Sequence, residues 1–171
     1  METKSEAKGQ RVALIVAHPD DETLWAGGLL LTRPEWRVFI VCLNHRDDRV
    51  RNPHFHRALE LYKARGAMGN LRDGGREDVL PEGLVEDTIM ALLPDHRFDL
   101  VITHSPQGEY TEHRFHDEVS DAVSVLRRAG RLEAAAFWQF AYEDEHGAGL
   151  PHAARGAALR LPLADPVWTR K

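Results

Sequence analysis

A chain of 171 residues, 43% hydrophobic and 29% charged, is long enough to bury a core and has the composition of an ordinary globular domain. A formal charge of -5 and a pI near 6.0 exclude the basic stripe of a nucleic-acid binder. No apolar stretch is long enough for a membrane span, and the single cysteine, Cys42, has no internal disulfide partner. The polar opening M-E-T-K-S-E-A-K-G-Q lacks a signal-peptide core. The expectation is a cytoplasmic protein with a frayed tail over 1–10 and one domain over 11–171.

The first buried strand is expected at 11–17, where an apolar, β-branched run stops at His18 and the turn H-P-D-D-E. A helix follows over 22–31 with Leu24, Gly28 and Leu31 on one face; Gly27-Gly28 implies close approach of a neighbouring element. The run R-V-F-I-V-C-L predicts a second strand over 37–43, with Cys42 as a buried thiol. A charged loop, N-H-R-D-D-R-V-R-N-P, leads to a helix over 54–68, and Leu71 suggests a very short strand before the loop R-D-G-G-R-E-D. The apolar stripe Leu84, Val85, Ile89 and Leu92 predicts a helix over 81–93, closed by Pro94. A third strand is read over 98–103, a helix over 113–129, a strand over 134–142 and a last strand over 157–161. Strands alternating with helices predict a Rossmann-like three-layer α/β/α fold with a mostly parallel sheet. The first strand has no G-x-G-x-x-G after it, so no dinucleotide site is expected.

Two clusters leave strand ends. One offers His18, Asp20, Asp21 and Glu22; the other offers His104, Glu109, Tyr110, Glu112, His113, His116 and Asp117. Zinc in catalytic sites takes three protein ligands from His and carboxylate and leaves one position open. His18 and Asp21 can converge around the proline turn, and one imidazole of the pair His113/His116, on one helix face, completes the set. Asp20 is then free to take a proton from water activated by zinc, and the unbound imidazole to stabilise an oxyanion or protonate a leaving amine. His104 is read either as supporting the zinc ligands or as a strand-end histidine satisfied by backbone.

A-H-P-D-D-E at the end of the first strand, followed far along the chain by H-R-F-H, resembles the PIG-L/LmbE-like zinc-dependent N-deacetylases. The resemblance implies removal of an acetyl group from an N-acetylglucosamine-type amino-sugar conjugate. It implies His18, Asp21 and His116 as zinc ligands, Asp20 as general base and His113 as the oxyanion-stabilising histidine. Tyr110 and Arg57 are similar to substrate-contacting residues of some members. Relatives that read H-P-D-H have an aspartate where this chain has Phe115, so orientation of an imidazole is expected from Asp117 or Glu112. A small-molecule substrate is implied, with no nucleic-acid partner and a homo-oligomer left open. Two other readings compete: a magnesium-dependent phosphate-transfer or phosphate-hydrolysing domain using Asp20, Asp21, Asp47 and Asp48, and a catalytically silent metal-binding module. Arg46, Arg49 and Arg51 are read as a loop ion-paired with Asp47 and Asp48, or as a binder of an anionic group.

Overall fold

The computed structural model describes residues 9–74, 80–107, 109, 113–144 and 149–171. β1 (Arg11–Val16), β2 (Arg37–Cys42), β3 (Arg65–Met68), β4 (Arg97–Thr103) and β5 (Glu133–Gln139) form an all-parallel sheet in the order β3-β2-β1-β4-β5. β1 pairs with β2 from Arg11↔Arg37 to Val16↔Cys42, and with β4 from Val12↔Leu100 to Leu14↔Ile102. Because every strand runs the same way, the connections cross over the faces as helices. Helices α1 (Asp21–Leu31) and α2 (Arg51–Tyr62) cover one face, packing Ala26, Leu30, Phe55 and Leu59 on Val12, Leu14, Val16, Ile40 and Ile102. Helices α3 (Leu84–Leu92) and α4 (Arg114–Arg128) cover the other, packing Ile89, Phe115, Val119 and Leu126 on Ala13, Ile15, Val41 and Val101. Successive residues of β1 thus serve opposite cores, which is why its sequence is apolar throughout. This is the expected three-layer α/β/α arrangement.

The local readings differ from the structure where the chain reaches the sheet edge. The helix expected over 54–68 is α2, which starts earlier and ends at Tyr62. Asp48 Oδ1 accepts the N–H groups of Val50 and Arg51 at 2.8 and 2.9 Å and so caps the start ahead of Pro53. Lys63 adopts the left-handed conformation (φ 52°), and Arg65–Met68 peels off to pair with β2. Gly66 makes this possible, because a Cβ there would meet the Ile40 carbonyl oxygen at 2.6 Å. Leu71 is not a strand, although its N–H donates to the Leu43 carbonyl at 3.0 Å.

On α1 the buried apolar side chains are Ala26 and Leu30, while Leu24 is exposed. Gly27 faces the Tyr62 hydroxyl of α2 and Gly28 faces Leu163, so the glycine pair does admit neighbours on both sides. The strand expected over 134–142 stops at Gln139. Tyr142 instead belongs to β6 (Tyr142–Glu143), antiparallel to β7 (His152–Ala153). No strand forms over 157–161, whose Leu159 is exposed, and a short α5 (Asp165–Arg170) packs near α1. Of the expected tail, Gln10 already accepts the Arg37 N–H, and residues 1–8 lie outside the described residues.

Candidate metal centre

In the strand order, β1 lies between β2 and β4, and chain direction along the sheet reverses there. Open α/β sheets bind ligands at such a point, outside the carboxyl ends of the strands. His18 sits just past β1, and Pro19 turns the chain so that the His18 carbonyl accepts the N–H groups of Asp20 and Asp21 at 3.0 and 3.3 Å. This turn swings Asp21, the first residue of α1, back over the strand end, where its Oδ2 accepts the His18 N–H at 2.8 Å. One turn on, Trp25 donates its indole N–H to Asp21 Oδ1 at 3.2 Å, fixing both carboxylate oxygens. From the other side α4 begins next to His113 and presents His116 at the same sheet edge, with Phe115 turned into the core.

Three atoms converge. His18 Nδ1 and His116 Nε2 are 3.1 Å apart, and Asp21 Oδ2 lies 3.4 Å from the first and 3.5 Å from the second. The far nitrogen of each imidazole meets a carboxylate. His18 Nε2 lies 2.6 Å from Asp73 Oδ2, and His116 Nδ1 lies 2.8 Å from Glu109 Oε2. An ionised carboxylate only accepts, so these far nitrogens carry protons, and in the neutral imidazoles the two facing nitrogens are then the bare ones. Two such nitrogens and an anion oxygen turned on one point offer a cation its ligands. The spacing also fits: zinc bonds of about 2.0–2.1 Å in a tetrahedron separate ligand atoms by roughly 3.3 Å. His18, Asp21 and His116 are therefore the residues that would hold a zinc ion.

Among the described residues, two further triads bring metal-binding atoms within 4.8 Å of one another: His18, His113 and His116, and Asp21, His104 and His116. His104 Nε2 approaches Asp21 Oδ2 at 3.4 Å but lies closer, at 3.0 Å, to the Ala17 N–H, which can only donate. Its lone pair is taken, and the imidazole is a fully buried structural group. The sequence reading had left it between these two roles; its Nδ1, 2.9 Å from Glu109 Oε1, links it to the ligand set as well.

Charge in the site is set by burial and by the imidazoles together. Burial opposes ionisation of Asp21, but His104, His18 and His116 hold its carboxyl well below the usual carboxylate range. Glu109 is likewise held down to about 2, against burial, by His104 and His116. Burial, reinforced by the nearby His116 and His18, pushes the His113 imidazole down. Glu22, which accepts the Thr23 hydroxyl at 2.9 Å, is pushed up to about 7 by burial, with Asp21 and Asp20 adding repulsion.

The remaining expected site residues are placed as follows. His113 joins the cluster, its ring 4.7 Å from that of His18 and 4.6 Å from that of His116; its Nε2 is 3.8 Å from Asp73. Its Nδ1 is buried without a hydrogen-bond partner among the described residues. Asp20 is half-exposed at the N-cap of α1, its Oδ2 accepting from Arg51 at 3.1 Å. Arg57 is exposed on α2, about two turns beyond Arg51, and is not brought to the cluster. Tyr110 and Glu112 lie outside the described residues. The task assigned to Asp117 or Glu112 is met for His116 by Glu109. Asp73, inside a stretch read only as loop, had no periodic signal to reveal it. Trp25 stands one helical turn after Asp21, a spacing that could have marked it as the donor to that carboxylate. Beside the cluster, a cavity of about 500 Å³ is lined by Asn44, His45, Asp48, Asn70, Leu71, Arg72, Asp73 and Gly74.

A family model described as PIG-L, GlcNAc-PI de-N-acetylase, matches residues 13–126, which include both clusters. No curated protein matches in sequence. Among solved structures, the 4-carboxy-2-hydroxymuconate hydratase GalB of Pseudomonas putida is similar at 15% identity and TM-score 0.51, over 70% of this chain and 56% of that one. The N,N'-diacetylchitobiose deacetylase of Pyrococcus horikoshii is similar at 20% identity and TM-score 0.55, over 67% and 48%. A deacetylase of teicoplanin biosynthesis is similar at 16% identity and TM-score 0.66, over 94% and 80%. The chain thus spans about half the length of the first two, and at these identities the likeness is one of fold.

Proposed function

Because the chain belongs to the PIG-L family of GlcNAc-PI de-N-acetylases, we propose that it is a zinc-dependent hydrolase that removes the N-acetyl group from an N-acetylglucosamine-type conjugate. The observation that carries this reading is the triangle of His18 Nδ1, Asp21 Oδ2 and His116 Nε2, with edges of 3.1–3.5 Å and both imidazole lone pairs turned inward. Bound there, zinc would polarise the acyl carbonyl and acidify water. Asp20, next to a ligand and open to solvent, takes the proton as water adds to the acyl carbon. His113 stands beside the ligands with its basicity lowered. It serves as a neutral N–H donor to the developing oxyanion, and the proton taken by Asp20 passes to the amine as the C–N bond breaks. The products are acetate and the free amino sugar. The adjoining polar cavity suits a hydroxylated small molecule, which is the partner proposed.

The test has two arms. Purified protein should contain zinc and release acetate from a panel of N-acetyl amino sugars, and a chelator should abolish release until zinc is restored. Asp20→Asn should keep its zinc and lose about 10²–10⁴-fold in turnover. Full zinc occupancy with no acetate from any substrate would turn the reading towards a silent binding module; undiminished turnover in Asp20→Asn would remove Asp20 as base. Two of the four acids of the magnesium reading have other partners. Asp47 is engaged by Arg46 and Asn70, and Asp48 caps α2.

A further inference from the structure

We infer that Glu109 is a positioning residue whose single carboxylate sets the tautomers of both His104 and His116, and through them the two ends of the metal centre; this rests on the ligand triangle proposed above. The side chain is buried, and its two oxygens do different work. Oε2 accepts the His116 Nδ1–H at 2.8 Å. Oε1 accepts the His104 Nδ1–H at 2.9 Å and the Ser105 N–H at 3.3 Å. A carboxylate cannot donate, so both imidazoles are obliged to carry a proton on Nδ1, and the neutral ring then has its lone pair on Nε2.

For His116 the consequence is direct. Its bare Nε2 is the atom turned on His18 Nδ1 and Asp21 Oδ2. For His104 the consequence reaches the other ligand through the backbone. Its bare Nε2 accepts the N–H of Ala17 at 3.0 Å, and Ala17 is the residue between the end of β1 and His18. The pairing of β1 with β4 has ended by then, at Leu14↔Ile102, so His104 extends the hold of β4 on β1 to the peptide that delivers His18. The two rings stack at 4.0 Å because one carboxylate gathers both edges. Glu109 therefore acts on His116 through its ring and on His18 through its chain. The Ala17 N–H, by taking the Nε2 lone pair, keeps His104 out of the ligand set, although His104 lies within reach of the same ion.

Histidine ring ¹⁵N–¹H correlation spectra of the metal-free wild type test this without any variant: His104 and His116 should both appear as Nδ1–H. In Glu109→Gln the carboxamide offers one acceptor oxygen and one donor, so at least one of the two rings must lose its partner or move its proton to Nε2. Zinc affinity, read by competition with a chromophoric chelator, should fall about 10–100-fold, while Glu60→Gln, on the exposed face of α2, should leave it unchanged. An Nε2–H tautomer at either histidine of the wild type overturns the inference, as does wild-type zinc affinity in Glu109→Gln. A wild type that binds no zinc defeats the proposed metal centre instead, and the spectra then decide the role of Glu109 separately.

Discussion

At the scale of single residues, the site is a set of polar side chains each of which has its other end tied down. Asp21 is fixed by its own turn and by Trp25, His18 by Asp73, and His116 by Glu109. A ligand held in this way need not be ordered when the ion arrives, which is the value of outer contacts to metal affinity. Glu22 is the exception in the H-P-D-D-E turn. Its Oε2 is buried without a hydrogen-bond partner among the described residues, and burial raises its pKa from 4.5 to about 7. A carboxyl raised on folding binds more protons in the native state, so its contribution to stability is fully present below about pH 4.5 and is lost as pH rises through about 7. At pH 8 the metal-free protein should be less stable than Glu22→Gln by roughly 3 kcal/mol at most, with the gap closing near pH 4.5. Urea midpoints of the two proteins at both pH values check this; a gap independent of pH would show that Glu22 titrates normally. Cys42 is buried, and burial pushes its thiol up, in keeping with a structural role.

At the scale of elements, what the periodicity conveyed was the core-facing stripe, and what it missed was the local exception. The stretch R-G-A-M reads as the end of a helix, since Leu59 and Tyr62 before it keep helical spacing. It becomes β3 because β2 presents an unpaired edge and Gly66 lets the backbones meet. Gly66→Ala should therefore cost about 1–3 kcal/mol, since its Cβ would press on the Ile40 carbonyl, a backbone atom that cannot yield cheaply. Gly28→Ala meets only the end of the Leu163 side chain and gains helix propensity, so it should be near neutral. Thermal unfolding of both variants tests the contrast, and equal losses would mean that the edge pairing of β3 contributes little. Phe115 shows the same logic in α4. It stands between two site histidines yet is fully buried against the core, so orientation of His116 comes from Glu109, on the loop after β4, and not from the helix itself.

At the scale of the whole molecule, the proposed metal centre joins two segments distant in the chain, the exit of β1 and the start of α4. A zinc ion there would bind the folded state only, so removing it should lower the melting temperature, and adding zinc at 100 times its dissociation constant should restore about 2.7 kcal/mol. Scanning calorimetry with chelator and with zinc checks this, and a melting temperature indifferent to zinc would argue against the triangle as a binding site. The similarity in fold to both a hydratase and deacetylases is a reminder that the layers position chemistry without choosing it. No helix among the described residues is long and apolar enough to cross a membrane. The sequence by itself determined the layered α/β fold, because buried parallel strands and amphipathic helices write their burial into local periodicity. It determined the family too, because A-H-P-D-D-E is a contiguous motif. Only the tertiary structure decided which oxygen faces which nitrogen: that Asp73 meets His18, that Glu109 joins His104 to His116, and that Arg51 reaches Asp20. Those contacts are single hydrogen bonds, two of them between residues far apart in sequence, and a directional bond across space leaves no periodicity along the chain.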